Sequence, residues 1–234
     1  MQKWFPENVS TFGGDIDSVF TLIYYIVGFW FLLTEGVLLY FVLRYRKRAG
    51  QPAKYVRGDR WSELAWLLVP AAIVLALDVG IEAAGGPVWA RVKEQSPAGG
   101  VEVWVTGKQF NWDITYPGPD GHFETADDLT LLNEMHVPVG QNVHLVLRSK
   151  DVIHSFFLPH LRLKQDVLPG RSVTAWFNAT KPGQYEIACA ELCGFGHYNM
   201  RGVLTVHTTE DYGRWVQEHW PATTEASGAT PAGS

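Results

Sequence analysis

The stretch CAELCGFGHYNM, Cys189–Met200, holds both cysteines of a 234-residue chain beside a histidine and a methionine, spaced Cys-x3-Cys-x3-His-x2-Met. Three chemistries suit such a group. A disulfide between residues four apart needs a particular turn and closes too short a loop to restrain the unfolded chain much. Simple packing suits cysteine, which is often buried, but Gly194, Gly196 and Asn199 mark a loop. Thiolate, thioether and imidazole together favour copper among biological metals. A further imidazole is available at His154 in KDVIHSFFLP, upstream of Cys189 at the end of a strand-like run. Two thiolates, where a mononuclear site needs one, suggest two ions bridged by sulfur. The metal reading accounts for the most residues, and the other two stay open on residue types alone.

The elements that must position these residues divide in two. Val19–Leu43 is apolar on every face with one charged residue, Glu35. As a helix it spans about 37 Å, more than the roughly 30 Å hydrocarbon core. An acid at that depth is functional or faces a partner helix. A second span begins at Glu63 in ELAWLLVPAAIVLALDVGIEAA; Trp61 and Trp66 suit an interfacial belt, and Pro70 should kink it. Between the spans, residues 44–60 carry seven basic residues against one acid, which places that loop in the cytoplasm and both chain ends outside. The first span is not expected to be a cleaved signal, because three acids precede it and no small-residue cleavage site follows.

Beyond Gly/Pro-rich AAGGPVW and SPAGG the periodicity changes to two, at Val101, Val103 and Val105 and again at Val143, Leu145 and Leu147, with turn clusters between the runs. Short strands at this spacing argue for an all-β sandwich or barrel. The expected organisation is an α+β membrane protein: an outer segment 1–18, a transmembrane helical hairpin 19–90, a β domain 91–220 and a disordered tail 221–234. No internal repeat is evident. The net charge of −5 excludes a generally basic, nucleic-acid-binding chain, and two cysteines cannot build a disulfide scaffold.

On CAELCGFGHYNM, DVIHSFFLP, ELAWLLVP, GKQFNW and KQDVLPGR, the chain resembles subunit II of haem–copper cytochrome c oxidases over roughly residues 1–219. The resemblance implies a cupredoxin-like domain with a binuclear copper A centre. Cys189 and Cys193 would bridge two copper ions, His154 and His197 would bind one each, and Met200 and the Glu191 carbonyl would be weak ligands. The Glu191 side chain would help hold Mg²⁺ against subunit I. Glu63 matches an acid near a proton-channel mouth, and Asp166 a position near the docking surface for cytochrome c. One departure stands out. The family's aromatic segment reads Gly-His-Gln-Trp-Tyr-Trp, whereas Gly107–Trp112 is GKQFNW, so Phe110 replaces the proposed electron-entry tryptophan. Entry would then fall to Phe110, Trp112 or Trp104. His136, His144, His160, His207 and His219 match no family ligand and are expected in packing or surface roles.

The implied function is electron transfer in a bacterial-type cytoplasmic membrane. Electrons from cytochrome c or a similar donor would pass to haem in subunit I, where O2 is reduced and protons are pumped. This chain would contribute no catalytic residue to that reaction; its partners would be the other oxidase subunits, the donor and membrane lipid. One alternative keeps the copper in a copper-A nitric oxide reductase, distinguished by the copurifying subunit. A membrane-tethered copper chaperone is a second, disfavoured by Gly194 after the second cysteine and by the β pattern.

Overall fold

The computed structural model describes residues 5–52, 55 and 57–220. The chain forms two compact units. Gly14–Gln95 is one; the residues up to Gly13 join those from Ser96 onward in the other.

The first unit is helical. α1 covers Gly13–Arg44 and α2 covers Trp61–Trp89, the latter prolonged by a π-helical turn over Ala90–Glu94. Both helices are long and apolar enough to cross a membrane. Leu32, Trp66 and Leu75 are among the side chains left exposed along them, a surface that suits lipid or partner helices rather than water. α1 starts six residues ahead of Val19, and the helical unit runs past residue 90. Pro70 lies inside α2 without ending it. The Asp15 carboxylate accepts from Arg91 Nη1 at 2.6 Å, linking the start of α1 to the turn after α2.

The second unit is a sandwich of two five-stranded sheets. One has the order β3-β2-β1-β5-β8, with β1 Val101–Lys108, β2 Asn111–Tyr116, β3 Leu129–Leu132, β5 Asn142–Ser149 and β8 Val173–Asn178. The other has the order β4-β10-β9-β6-β7, with β4 Glu134–Pro138, β6 His154–Leu158, β7 Leu163–Val167, β9 Gly183–Cys189 and β10 Arg201–His207. The period-2 pattern decides which face is inward: Val103 and Val105 of β1 and Val143, Leu145 and Leu147 of β5 are buried, with less buried residues between them. Each such side chain contributes about 1.5–3 kcal/mol on leaving water. Gly140, in the turn after β4, sits at φ +73°, where a Cβ would be strained. β1 pairs with β5, and β4 with β10, in parallel.

Two features depart from the expected all-β domain. The first is α3, Thr209–His219, capped by Thr208 Oγ1, which accepts the Asp211 N–H at 3.1 Å. Its signal in sequence was the Thr-x-x-Asp spacing with two acids in the first turn. The second is the N-terminal segment, which is not a separate outer piece but part of the sandwich. Ser10 bridges Ala179, Val9 N–H donates to the His160 carbonyl at 2.9 Å, and Thr180 N–H donates to the Val9 carbonyl at 2.8 Å. Val9 and Phe12 are buried, and Phe12 meets Trp176 edge-on with ring centroids 5.2 Å apart. The expected disordered tail, 221–234, lies outside the described residues.

Candidate metal centre

Strand pairing brings the distant residues together. β6 lies beside β9 with Phe156 opposite Cys189, so His154, at the head of β6, and Cys189, at the end of β9, share one end of the sheet. Met200 immediately precedes β10, and its carbonyl accepts the Cys189 N–H at 3.1 Å. The loop between is closed on itself: Ala190 N–H donates to Ser155 O, His197 N–H to Gly194 O and Asn199 N–H to Gly196 O. Donors far apart in sequence are thus fixed by two β pairings and one stapled loop.

The geometry discriminates among the three readings. Cys189 Sγ and Cys193 Sγ stand 3.9 Å apart, well beyond the roughly 2.0 Å of a disulfide bond, and both are free. Cys193 Sγ also lies 3.6 Å from His197 Nδ1 and 3.7 Å from Met200 Sδ, and Cys189 Sγ lies 3.2 Å from the Glu191 carbonyl. Ligand atoms of His154, Cys189 and Cys193 all fall within 4.8 Å of one another. With metal–thiolate bonds near 2.3 Å, two thiolates this close can reach a shared ion.

His154 adds a second detail. It is completely buried, and its Nε2 is 2.8 Å from Asp151 Oδ1. The carboxylate only accepts, so Nε2 is the donor in this contact and Nδ1 is the ring nitrogen left to meet a ligand. That Nδ1 is buried without a hydrogen-bond partner, a costly state in a dry site unless a ligand completes it. Asp151 is itself fixed, its Oδ2 accepting the Gln109 N–H at 2.7 Å and its Oδ1 the Val152 N–H at 2.6 Å. Burial works to raise the Asp151 carboxyl, but these N–H donors and the His154 ring together hold it below its usual range. Burial, with the neighbouring Cys189 thiol, pushes Cys193 up to about 11. The direction favours the thiol form, so a metal bound here would have to displace a proton.

Of the other expected residues, Phe110 is at the site. A Cβ added at Gly196 would lie 2.5 Å from Phe110 Cδ2, and one at Gly194 3.1 Å from Phe110 Cε1, so both glycines let the ring rest on the loop. Trp112 is fully buried beneath, its ring 5.9 Å from His154 and 5.1 Å from Phe156. Trp104 is engaged elsewhere, stacked on Phe123 at 4.2 Å under the Arg148 guanidinium. Asp166 accepts from Ser155 Oγ at 2.8 Å and from Lys164 Nζ at 3.1 Å. Glu63 accepts the Gly58 N–H at 2.8 Å, closing the turn ahead of α2. The Glu191 side chain is exposed. Two contributors had gone unnoticed in sequence: Asp151, three residues before His154, and Gln109, whose side-chain amide donates to the Cys193 carbonyl at 2.6 Å.

Residues 110–207 match the family model described as cytochrome c oxidase subunit II, periplasmic domain, a stretch that begins at Phe110 and contains all the clustered donors. A relative from Synechocystis sp. named cytochrome c oxidase subunit 2 is 34% identical over 96% of this chain and 78% of its own length. The chain belongs to the cytochrome c oxidase subunit 2 family. Another family member, the alternative cytochrome c oxidase subunit 2 of Bradyrhizobium diazoefficiens, is 30% identical over 92% of this chain and 84% of its own. Among solved structures, the periplasmic domain of subunit II of cytochrome oxidase from Bradyrhizobium japonicum is 32% identical, with TM-score 0.47, over 53% of this chain and 96% of that one. Subunit 2 relatives are components of an oxidoreductase complex, and the soft-donor cluster lies within the matched periplasmic domain.

Proposed function

We propose that this chain is the electron-accepting subunit of a membrane-bound haem–copper oxidase, with a binuclear copper A centre held by His154, Cys189, Cys193, His197 and Met200 and the Glu191 carbonyl. The observation that carries the reading is the convergence of two thiols and a thioether on a buried imidazole whose Nδ1 has no other partner. When bound, such a centre supplies a one-electron acceptor with its unpaired electron spread over two ions.

The residues of the chain prepare that site. Asp151 fixes the His154 tautomer, as carboxylates behind metal-bound histidines do. The Gln109 amide and the Phe110 ring hold the loop, and the sandwich behind Trp112 and Phe156 excludes water. Leu192, Phe195 and Tyr198 project from the loop at 76%, 95% and 74% exposure. An apolar rim of this kind suits a docked partner: the haem-bearing subunit I on one side and cytochrome c or a similar donor on the other. Phe110, lying on the loop, is the better entry residue than Trp104, and half-exposed Asp166 supports docking of a basic donor. Exposed Glu191 is left to help hold Mg²⁺ at the subunit I face, and Glu63 to serve the mouth of a proton channel.

Topology supports the same reading. The N-terminal segment and the β domain belong to one unit, and the two helices between them are each long and apolar enough to cross a membrane, which supports a hairpin that returns to the side it left. The basic loop 44–60 then faces the cytoplasm and the copper domain the outside.

The test is copurification of the full-length chain with its partner subunits, followed by metal analysis and EPR. Two coppers per chain and a seven-line hyperfine pattern are expected, with O2 rather than nitric oxide consumed. A single Cu(I) without signal would mean a copper carrier instead. Asp151→Asn provides a finer check. An amide cannot accept from both Gln109 N–H and the His154 ring as the carboxylate does, so copper affinity should fall about 10–100-fold in a chelator competition.

A further inference from the structure

His136 on β4 and His207 on β10 meet head to head. His136 Nδ1 and His207 Nε2 are 2.8 Å apart, and the rings are 20° from coplanar with centroids 5.1 Å apart. That separation is the N···N distance plus a ring radius on either side, so the two nitrogens face each other along the line between the rings. Facing nitrogens this close share one proton in an N–H···N bond and leave no room for a metal ion between them.

The C-terminal helix α3 is seated on this pair. Trp215, the buried residue of α3, lies parallel to His136 at 4.9 Å and 11° and reaches His207 at 6.5 Å and 26°. His219 packs against the same indole at 4.7 Å, and Tyr212 against His207 at 6.3 Å.

We propose that the His136–His207 pair is a pH-sensitive latch for α3, closed while one facing nitrogen keeps its lone pair and released when both carry protons. In the released state two N–H groups and two positive charges would face each other at hydrogen-bond distance, and the shelf beneath Trp215 would separate.

The surrounding groups set the direction. Burial lowers His136 below the ordinary 6.5, aided by His207 and by His219 on α3 and opposed by Glu134, whose Oε2 is 4.0 Å from His136 Nε2. Burial lowers His207 likewise, opposed by Asp211 on α3. From β2, the Tyr116 hydroxyl accepts the His136 backbone N–H at 2.6 Å and stays protonated, its own ionisation pushed far up by burial. Trp215 covers His136 and reaches His207, so α3 supplies part of that burial, and its departure, which also takes His219 away, makes His136 easier to protonate. Docking is therefore strongest at and above neutral pH and weakens as pH falls through and below the ordinary imidazole range.

Hydrogen exchange of residues 209–219 in the full-length chain in detergent, corrected for intrinsic exchange, reads the latch. Between about pH 7.5 and about pH 5, protection should fall at least about tenfold. His207→Gln keeps a polar atom near the Nε2 position and the His136 ring under Trp215, but leaves a single titrating group. It should retain most of the protection at the lower pH. Equal loss in both proteins, or loss in neither, overturns the proposal. If His207→Gln lacks protection at both pH values, NMR of ring-labelled histidine in the unaltered chain decides. Both rings becoming protonated only as α3 loosens would support the latch, and both rings protonated with α3 still docked would overturn it.

Discussion

Serine at position 193 is expected to abolish two-copper binding while leaving the β unit folded. Cys193 is the hub of the cluster: its sulfur lies within 4 Å of Cys189 Sγ, His197 Nδ1 and Met200 Sδ. A hydroxyl is nearly the same shape but a hard, weakly acidic donor, so it satisfies packing and fails as a soft ligand. Loss of a supporting group alone costs about 10–100-fold in metal affinity, and loss of the central thiolate should exceed that. The purified Cys193→Ser complex should show no seven-line EPR signal, and its oxidase rate with a cytochrome c donor should fall by more than about 100-fold. Its far-UV circular dichroism should be unchanged, because the strands and the Ala190–Ser155 staple do not use the Cys193 side chain. Retention of two coppers and the hyperfine pattern would show that the centre is not built on this thiol.

The largest stability effect is expected outside the site. Phe12 is completely buried, edge-on to Trp176, in a segment pinned by Ser10 at Ala179 and by Val9 at His160 and Thr180. Phe12→Ala removes the whole ring and should cost about 3–5 kcal/mol. In a domain of this size that lowers Tm by roughly 10 °C. Thermal unfolding of the detergent-solubilised chain, followed by intrinsic fluorescence, checks it. A change under about 1 kcal/mol, the usual range for surface substitutions, would mean that the segment merely rests on the domain. A corollary concerns soluble fragments that begin after α2: they leave the Phe12 site on Trp176 uncovered and should be less stable than fragments with residues 5–12 restored.

Much of the architecture was legible because its signals are local. Leu, Ile, Val and Phe around Glu35 mark a helix long and apolar enough to cross a membrane whatever the fold beyond it, and alternation at Val103/Val105 and Val143/Leu145/Leu147 marks inward-facing strands. The Cys–His–Met loop was legible because four soft donors fall within twelve residues. What escaped depends on contacts distant in sequence or on a partner. Asp151 reads as a turn residue until its carboxylate is seen behind His154. Gln109 reads as a polar residue near an aromatic run until its amide reaches from the turn between β1 and β2 to Cys193 in the loop after β9 of the other sheet. Val9 and Phe12 sit among acids and glycines with no periodicity, because one crossing over the sandwich is too short to show any. The His136–His207 contact joins positions far apart in the chain, which only the parallel pairing of β4 and β10 makes neighbours.

The seating of residues 5–12 in the sandwich also dictates an order of events during synthesis. Their partners Ala179 and Thr180 leave the ribosome long after both spans have been made. Residues 5–12 must therefore wait, through the synthesis of both helices and most of the strands, for their partners to follow. Closure of the sandwich thus depends on the two segments meeting in one compartment. A chain that kept them apart would be left with Phe12 exposed and Trp176 uncovered, the kind of lesion that quality-control proteases find.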